Sequence, residues 1–219
     1  MLDALIISGS GLYADSWHPF PITSARIADI INGIGYSVDV TEDVEERLRD
    51  PGDCRLLVIN IGNPAQPRPA DVIEQACAGL ESHLNAGGGL LGMHSSITSL
   101  TTMPAWRRIL GGRWIRGHSM HPAKGPATIL LANTEHPITA GLADLVVIDE
   151  RYSFLETEPD ITVLYEHDHE GLRHPLVWTR QNDQARVVYD GLGHDAASYD
   201  SLGHQTLLCR SVRWLLGDS

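Results

Sequence analysis

The chain has 219 residues, 42% of them hydrophobic and 20% charged, with a formal net charge of −12 at pH 7. That length suits one α/β domain, residues 1–219, able to bury roughly 70% of the surface its unfolded form exposes. The acidic balance excludes a phosphate-backbone partner, which needs clustered Lys and Arg, and no apolar run approaches the roughly 20 residues of a membrane span.

In chain order, Met1-Leu2-Asp3 passes straight into the strand-like Ala4-Leu5-Ile6-Ile7 without a basic leader or cleavage site, which predicts a cytoplasmic protein. The first strand, residues 4–8, ends in Ser8-Gly9-Ser10-Gly11. Helical spacing follows over 22–34, with Pro21 before it and Gly35 closing it. A strand at 36–40, a short helix at 44–49 and a buried strand at 55–61 come next. The strongest amphipathic helix, 70–84, is released by Gly87-Gly88-Gly89 into a strand at 90–93. This βαβ alternation predicts a mainly parallel sheet covered on both faces.

Beyond residue 93 the pattern loosens. A short helix is expected at 104–110, a loop at 117–126, and strands at 127–131, 146–148 and 161–165. Residues 175–179 and 186–189 read as a hairpin around Gln181-Asn182-Asp183, and 202–216 as a closing amphipathic helix.

Ligands of open parallel sheets bind outside the carboxyl ends of the strands, so chemistry is sought there. The first strand is followed by "GSGLYADSWHP" with His18, and the strand at 90–93 by His94-Ser95-Ser96. Later pieces supply His118 or His121, the acidic pair Asp149-Glu150 with Tyr152, and "VVYDGLGHD" with His194. "GGGLLGMHSSIT" has the form of a nucleophile elbow, a strand leading into a sharp turn that exposes one side chain, but the exposed residue is His94.

The fragments "GGGLLGMHS", "GGRWIRGHSMHP", "HPITAGL", "DERYSF", "HPLVWTR" and "RVVYDGLGHD" together resemble the trehalose-utilisation (ThuA-like) family of the class I glutamine amidotransferase-like superfamily. The resemblance runs nearly end to end. It implies a flavodoxin-like three-layer sandwich and an association with carbohydrate metabolism, without a settled reaction. Against an amidotransferase, His94 stands where the nucleophilic Cys would be and His194 matches the base. Thiolate chemistry needs a sulfur at the elbow, and none is there, so a Cys-dependent glutaminase is excluded.

Imidazoles and a carboxylate in one mouth suit either general acid/base catalysis or metal ligation. Spacing does not separate the two. The expected catalytic set is His94, His194, Glu150 and His18, with one of His118 and His121. The cofactor stays open, a divalent metal such as zinc being one candidate, with His94, His194 and Glu150 as its ligands. Hydrolysis, elimination and isomerisation of a small sugar or keto-sugar derivative are all compatible. The rival reading is a non-catalytic sugar-binding protein on the same scaffold. A small sugar-like ligand is the expected partner, with self-association into a homo-oligomer left open.

The remaining chemistry-bearing residues have bland expectations. Cys54, Cys77 and Cys209 lack metal-like spacing and read as small buried hydrophobes. His136 belongs to a turn that starts a helical piece, and His167 and His169 to a polar loop. His83 and His204 read as exposed or partly packed helix residues. Trp106, Trp114, Trp178 and Trp214 read as core, whereas Trp17 falls at the predicted mouth.

Overall fold

A computed structural model describes residues 2–181 and 184–218 of the chain. Its first half follows the predicted alternation: β1 (Leu2–Ser8), α1 (Phe20–Gly33), β2 (Val38–Thr41), α2 (Val44–Arg49), β3 (Cys54–Asn60), α3 (Ala70–Asn85) and β4 (Gly89–Met93). The second half contains α4 (Trp106–Leu110), β5 (Gly112–Arg113), β6 (Gly125–Leu131), β7 (Leu145–Asp149), β8 (Glu156–Thr157), β9 (Thr162–His169), β10 (Leu172–Gln181), β11 (Arg186–Asp190) and α5 (Leu202–Leu216).

Nine strands form one sheet in the order β2-β1-β3-β4-β11-β10-β9-β6-β7, and β5 pairs separately with β8. The five strands from β2 to β11 are parallel. From β11 onward the pairs are antiparallel, beginning with the β10–β11 hairpin. Two residues of the predicted hairpin turn, Asn182 and Asp183, lie outside the described residues.

The parallel strands are apolar runs because helices cover both faces of such a sheet. Ala4, Ile6 and Ile7 of β1, Leu56 to Ile59 of β3, and Leu90 and Leu91 of β4 are all inaccessible to solvent. Right-handed crossovers put α1 on one face, where it meets α5, and α2 with α3 on the other. α5 is capped by Ser201, whose hydroxyl accepts from the His204 backbone N–H, and stops at Gly217 with φ of 82°. Among the described residues no helix is long and apolar enough to cross a membrane.

Several local expectations are corrected. The segment with His167 and His169 is not a polar loop but the end of β9, and His167 is fully buried, its Nε2 3.0 Å from the Tyr152 carbonyl. His204 is also fully buried, on Asp190, and His83 is buried with Nε2 on the Gly89 carbonyl. In each case a specific acceptor satisfies the imidazole, which helix or loop context alone does not reveal. The loop at 117–126 ends two residues early, at Gly125, where β6 starts. Residues around His136 form turns without a helix. The cysteines are half-buried, and burial pushes their thiols up, that of Cys54 to about 11, which leaves them protonated at neutral pH.

Candidate metal centre

The chain runs from β1 to β2 and then back across β1 to β3, so the strand order reverses here and opens a crevice beyond the strand ends. Into it comes the loop after β1. Asp15 shapes this loop: its Oδ1 accepts from the backbone N–H groups of Trp17 and His18, both at 2.8 Å. Its Oδ2 lies 2.8 Å from His18 Nδ1. A carboxylate only accepts, so Nδ1 carries the proton and Nε2 points away with a free lone pair. Burial, followed by the neighbouring His94, pushes the His18 imidazole down to about 4, which keeps it neutral at physiological pH.

His94 follows β4 at the elbow. Its φ of 36° lies in the left-handed region, a strained conformation for a residue with a side chain. The surroundings hold it there. Tyr189 donates its hydroxyl to the His94 carbonyl at 2.9 Å, and Ser95 and Ser99 both donate to the Ile61 carbonyl. Gly92 is required below the turn, because a Cβ there would lie 2.4 Å from Leu110 and 2.9 Å from the Ser96 hydroxyl. The His94 ring is 1% exposed and stacks at 4.4 Å on Tyr152. Its Nδ1 donates to the Gly191 carbonyl at 2.8 Å, again leaving Nε2 free.

Glu150 directly follows β7, and His194 lies in the loop after β11. Although β7 is the sheet edge, four places from β11, the fully buried Asp149 at its end accepts from the N–H groups of Gly193 and His194 at 2.7 and 3.2 Å. The antiparallel half therefore curls its edge back to the crevice. Gly193 has φ of 109°, and a Cβ there would lie 2.6 Å from the Tyr199 hydroxyl, so only glycine fits. Glu150 Oε2 sits 3.3 Å from His194 Nδ1 and 3.5 Å from His94 Nε2.

His18, His94, Glu150 and His194 can each offer one ligand atom such that all four lie within 4.8 Å of one another. Burial alone would raise the Glu150 carboxyl, but the His194 and His94 imidazoles hold it well below the usual carboxylate range. Burial alone would lower His194, and Glu150 reverses this to a net rise. Despite that proximity, His18 Nε2, His94 Nε2 and His194 Nδ1 are buried with no hydrogen-bond partner. Three orphaned imidazole nitrogens beside one ionised carboxylate match the donor set of a first-row divalent metal, zinc foremost. The Asp15–His18 and Gly191–His94 bonds are of the kind that orients histidines in metal sites.

The structure thus brings together four of the residues singled out in the sequence and adds His18 to the expected ligand set. His121 lies at the rim, 39% exposed, with Nδ1 3.6 Å from Glu150 Oε1. His118 is corrected out of the site. The turn at 115–119, with Gly117 at φ of 80°, exposes it, and its ring packs on Phe154. Trp17 is 73% exposed on the loop next to His18. Sequence reasoning missed Asp15 and the supporting role of Asp149. The three-residue step from Asp15 to His18 was the available signal for the first; the second depends on the return of β7, which no local pattern encodes.

The fold and site define an α/β protein whose sharp elbow after a parallel strand presents an imidazole, that of His94. The chain belongs to the ThuA family, described as trehalose utilisation, whose sequence pattern matches residues 3–215. Similar solved structures include a protein described as ThuA-like from Parabacteroides merdae, 20% identical with a TM-score of 0.80 over 98% of this chain and 90% of that one. Another from Bacteroides uniformis is 20% identical with a TM-score of 0.77, covering 98% and 91%. A Thermoplasma acidophilum protein described as a GMP synthase component is 11% identical with a TM-score of 0.61, covering 99% and 94%. No curated protein matches the chain in sequence.

Proposed function

We propose that this protein is a metal-dependent enzyme of sugar metabolism, converting a small sugar or keto-sugar derivative at a divalent cation held by His18, His94, Glu150 and His194. The observation that carries this reading is the set of three buried, unpartnered imidazole nitrogens around Glu150. Burying such atoms without partners costs free energy, and a cation satisfies all of them at once. The substrate class rests on the family's association with trehalose utilisation.

A cation in this position supplies Lewis-acid polarisation of a sugar oxygen. The chain's own groups divide the remaining work. Asp15 and the Gly191 carbonyl fix the tautomers of His18 and His94, and Tyr152 walls the site against water on one side. His121 stands at the open rim, its Nδ1 3.1 Å from the Pro122 carbonyl, so Nε2 is available to take a proton from a substrate hydroxyl.

The test is turnover of a panel of disaccharides, monosaccharides and their keto derivatives by the zinc-loaded protein. Conversion that stops on chelation, returns with metal and drops by about 10²–10⁴-fold in His121→Gln is expected. Metal bound with no sugar in the panel converted, or conversion indifferent to chelation, would overturn the reading.

A further inference from the structure

A second cavity, of about 590 Å³, lies between the elbow segment, the loop leading to α4, α4 itself and the segment after β5. It is of the size that takes a small organic ligand. Its walls combine Trp106, Trp114 and Met103 with four arginines, Arg107, Arg108, Arg113 and Arg116. The chain has only 16 Lys and Arg against 28 Asp and Glu, so four cations within ten residues on one cavity run against its overall charge.

Two of the four are already committed. Arg107 pairs with Glu156 and Glu158, both at 2.6 Å, and Arg113 pairs with Glu156 at 2.9 Å. These contacts hold Arg107 and Arg113 as part of the wall. The guanidinium groups of Arg108 and Arg116, by contrast, have no carboxylate or other hydrogen-bond partner among the described residues. These two arginines give the cavity exposed, uncompensated guanidinium groups among the residues that line it together with Trp114. Guanidinium matches phosphate or carboxylate bidentately, and the indole offers an apolar surface on which a sugar ring can lie.

We propose that this cavity binds an anionic sugar-sized ligand, its phosphate or carboxylate on Arg108 and Arg116 and its ring against Trp114. The cavity also borders the metal centre: the Trp114 ring meets Tyr152 at 5.0 Å, and Tyr152 stacks on His94. Occupancy here thus bears on the wall that packs behind the elbow. The assignment stands on the arginines and the cavity, independently of whether a metal is bound next door.

Isothermal titration of the intact protein with glucose 6-phosphate, glucuronate and glucose tests it, repeated on R108Q/R116Q. Saturable binding of either acidic sugar, at least tenfold tighter than glucose and weakened about tenfold or more in the double variant, is expected. The two acidic sugars distinguish phosphate from carboxylate. No saturable binding, glucose binding as tightly as both acids, or unchanged affinity in a double variant that keeps the wild-type melting temperature would overturn the proposal. Metal content, measured on the same samples, separates this outcome from a failure of the metal reading.

Discussion

Asp15 decides which nitrogen of His18 faces the cluster, and it anchors the Trp17 and His18 backbone with its other oxygen. Replacing it with alanine leaves the imidazole free to turn. Asp15→Ala should therefore lower zinc affinity by about 10–100-fold while leaving the fold intact, measured by competition with a chromophoric chelator and by circular dichroism. An unchanged affinity would show that His18 is not a ligand. The four clustered residues share a feature that the sequence displays: His18, His94, Glu150 and His194 each follow a strand end, where a parallel sheet exposes chemistry. The burial of His167 and His204 was not legible, because both owe it to partners distant in sequence.

The segment after β11 shows how an element is made to hold a site. Asp190 accepts from the Leu192 N–H at 3.0 Å and faces His204 Nε2 of α5 at 3.0 Å, in full burial. Burial alone would lower the His204 imidazole, but the Asp190 carboxylate more than offsets it, so His204 titrates above its ordinary value. A histidine raised on folding contributes stability that is complete below about pH 6.5, the unfolded value, and is lost as pH rises through the folded one. Urea midpoints of the wild type should accordingly fall more steeply from pH 6 to 9 than those of His204→Gln; parallel slopes would contradict the charged pair. Next along the segment, Gly193→Ala forces a Cβ onto the Tyr199 hydroxyl at positive φ. A loss of at least about 1–3 kcal/mol is expected in chemical denaturation. Element boundaries here were easier to read than packing, since the strand read at 186–189 carries the apolar Val187-Val188-Tyr189 and stops one residue short of the end of β11, whereas the glycine conformations answer to neighbours.

At the scale of the whole molecule, the parallel half was legible because its strands are continuous apolar runs separated by helical periodicity. The curl of the antiparallel half was not. Residues 146–148 read locally as one more strand, and only long-range pairing shows that this edge strand returns Asp149 and Glu150 to the segment after β11. The site is consequently assembled from segments spread from Asp15 to His194, none of which forms it alone. Metal binding should then be linked to global stability: zinc at 100 times its Kd should add about 2.7 kcal/mol, read as a higher melting temperature that chelator reverses. The most direct measurement is metal stoichiometry, by inductively coupled plasma mass spectrometry after dialysis against zinc, of the wild type, His18→Ala, His94→Ala and Glu150→Gln. One ion per chain in the wild type and its loss from folded variants is the predicted result; a wild type that retains no stoichiometric metal, or variants that retain it in full, would contradict a metal centre at this elbow.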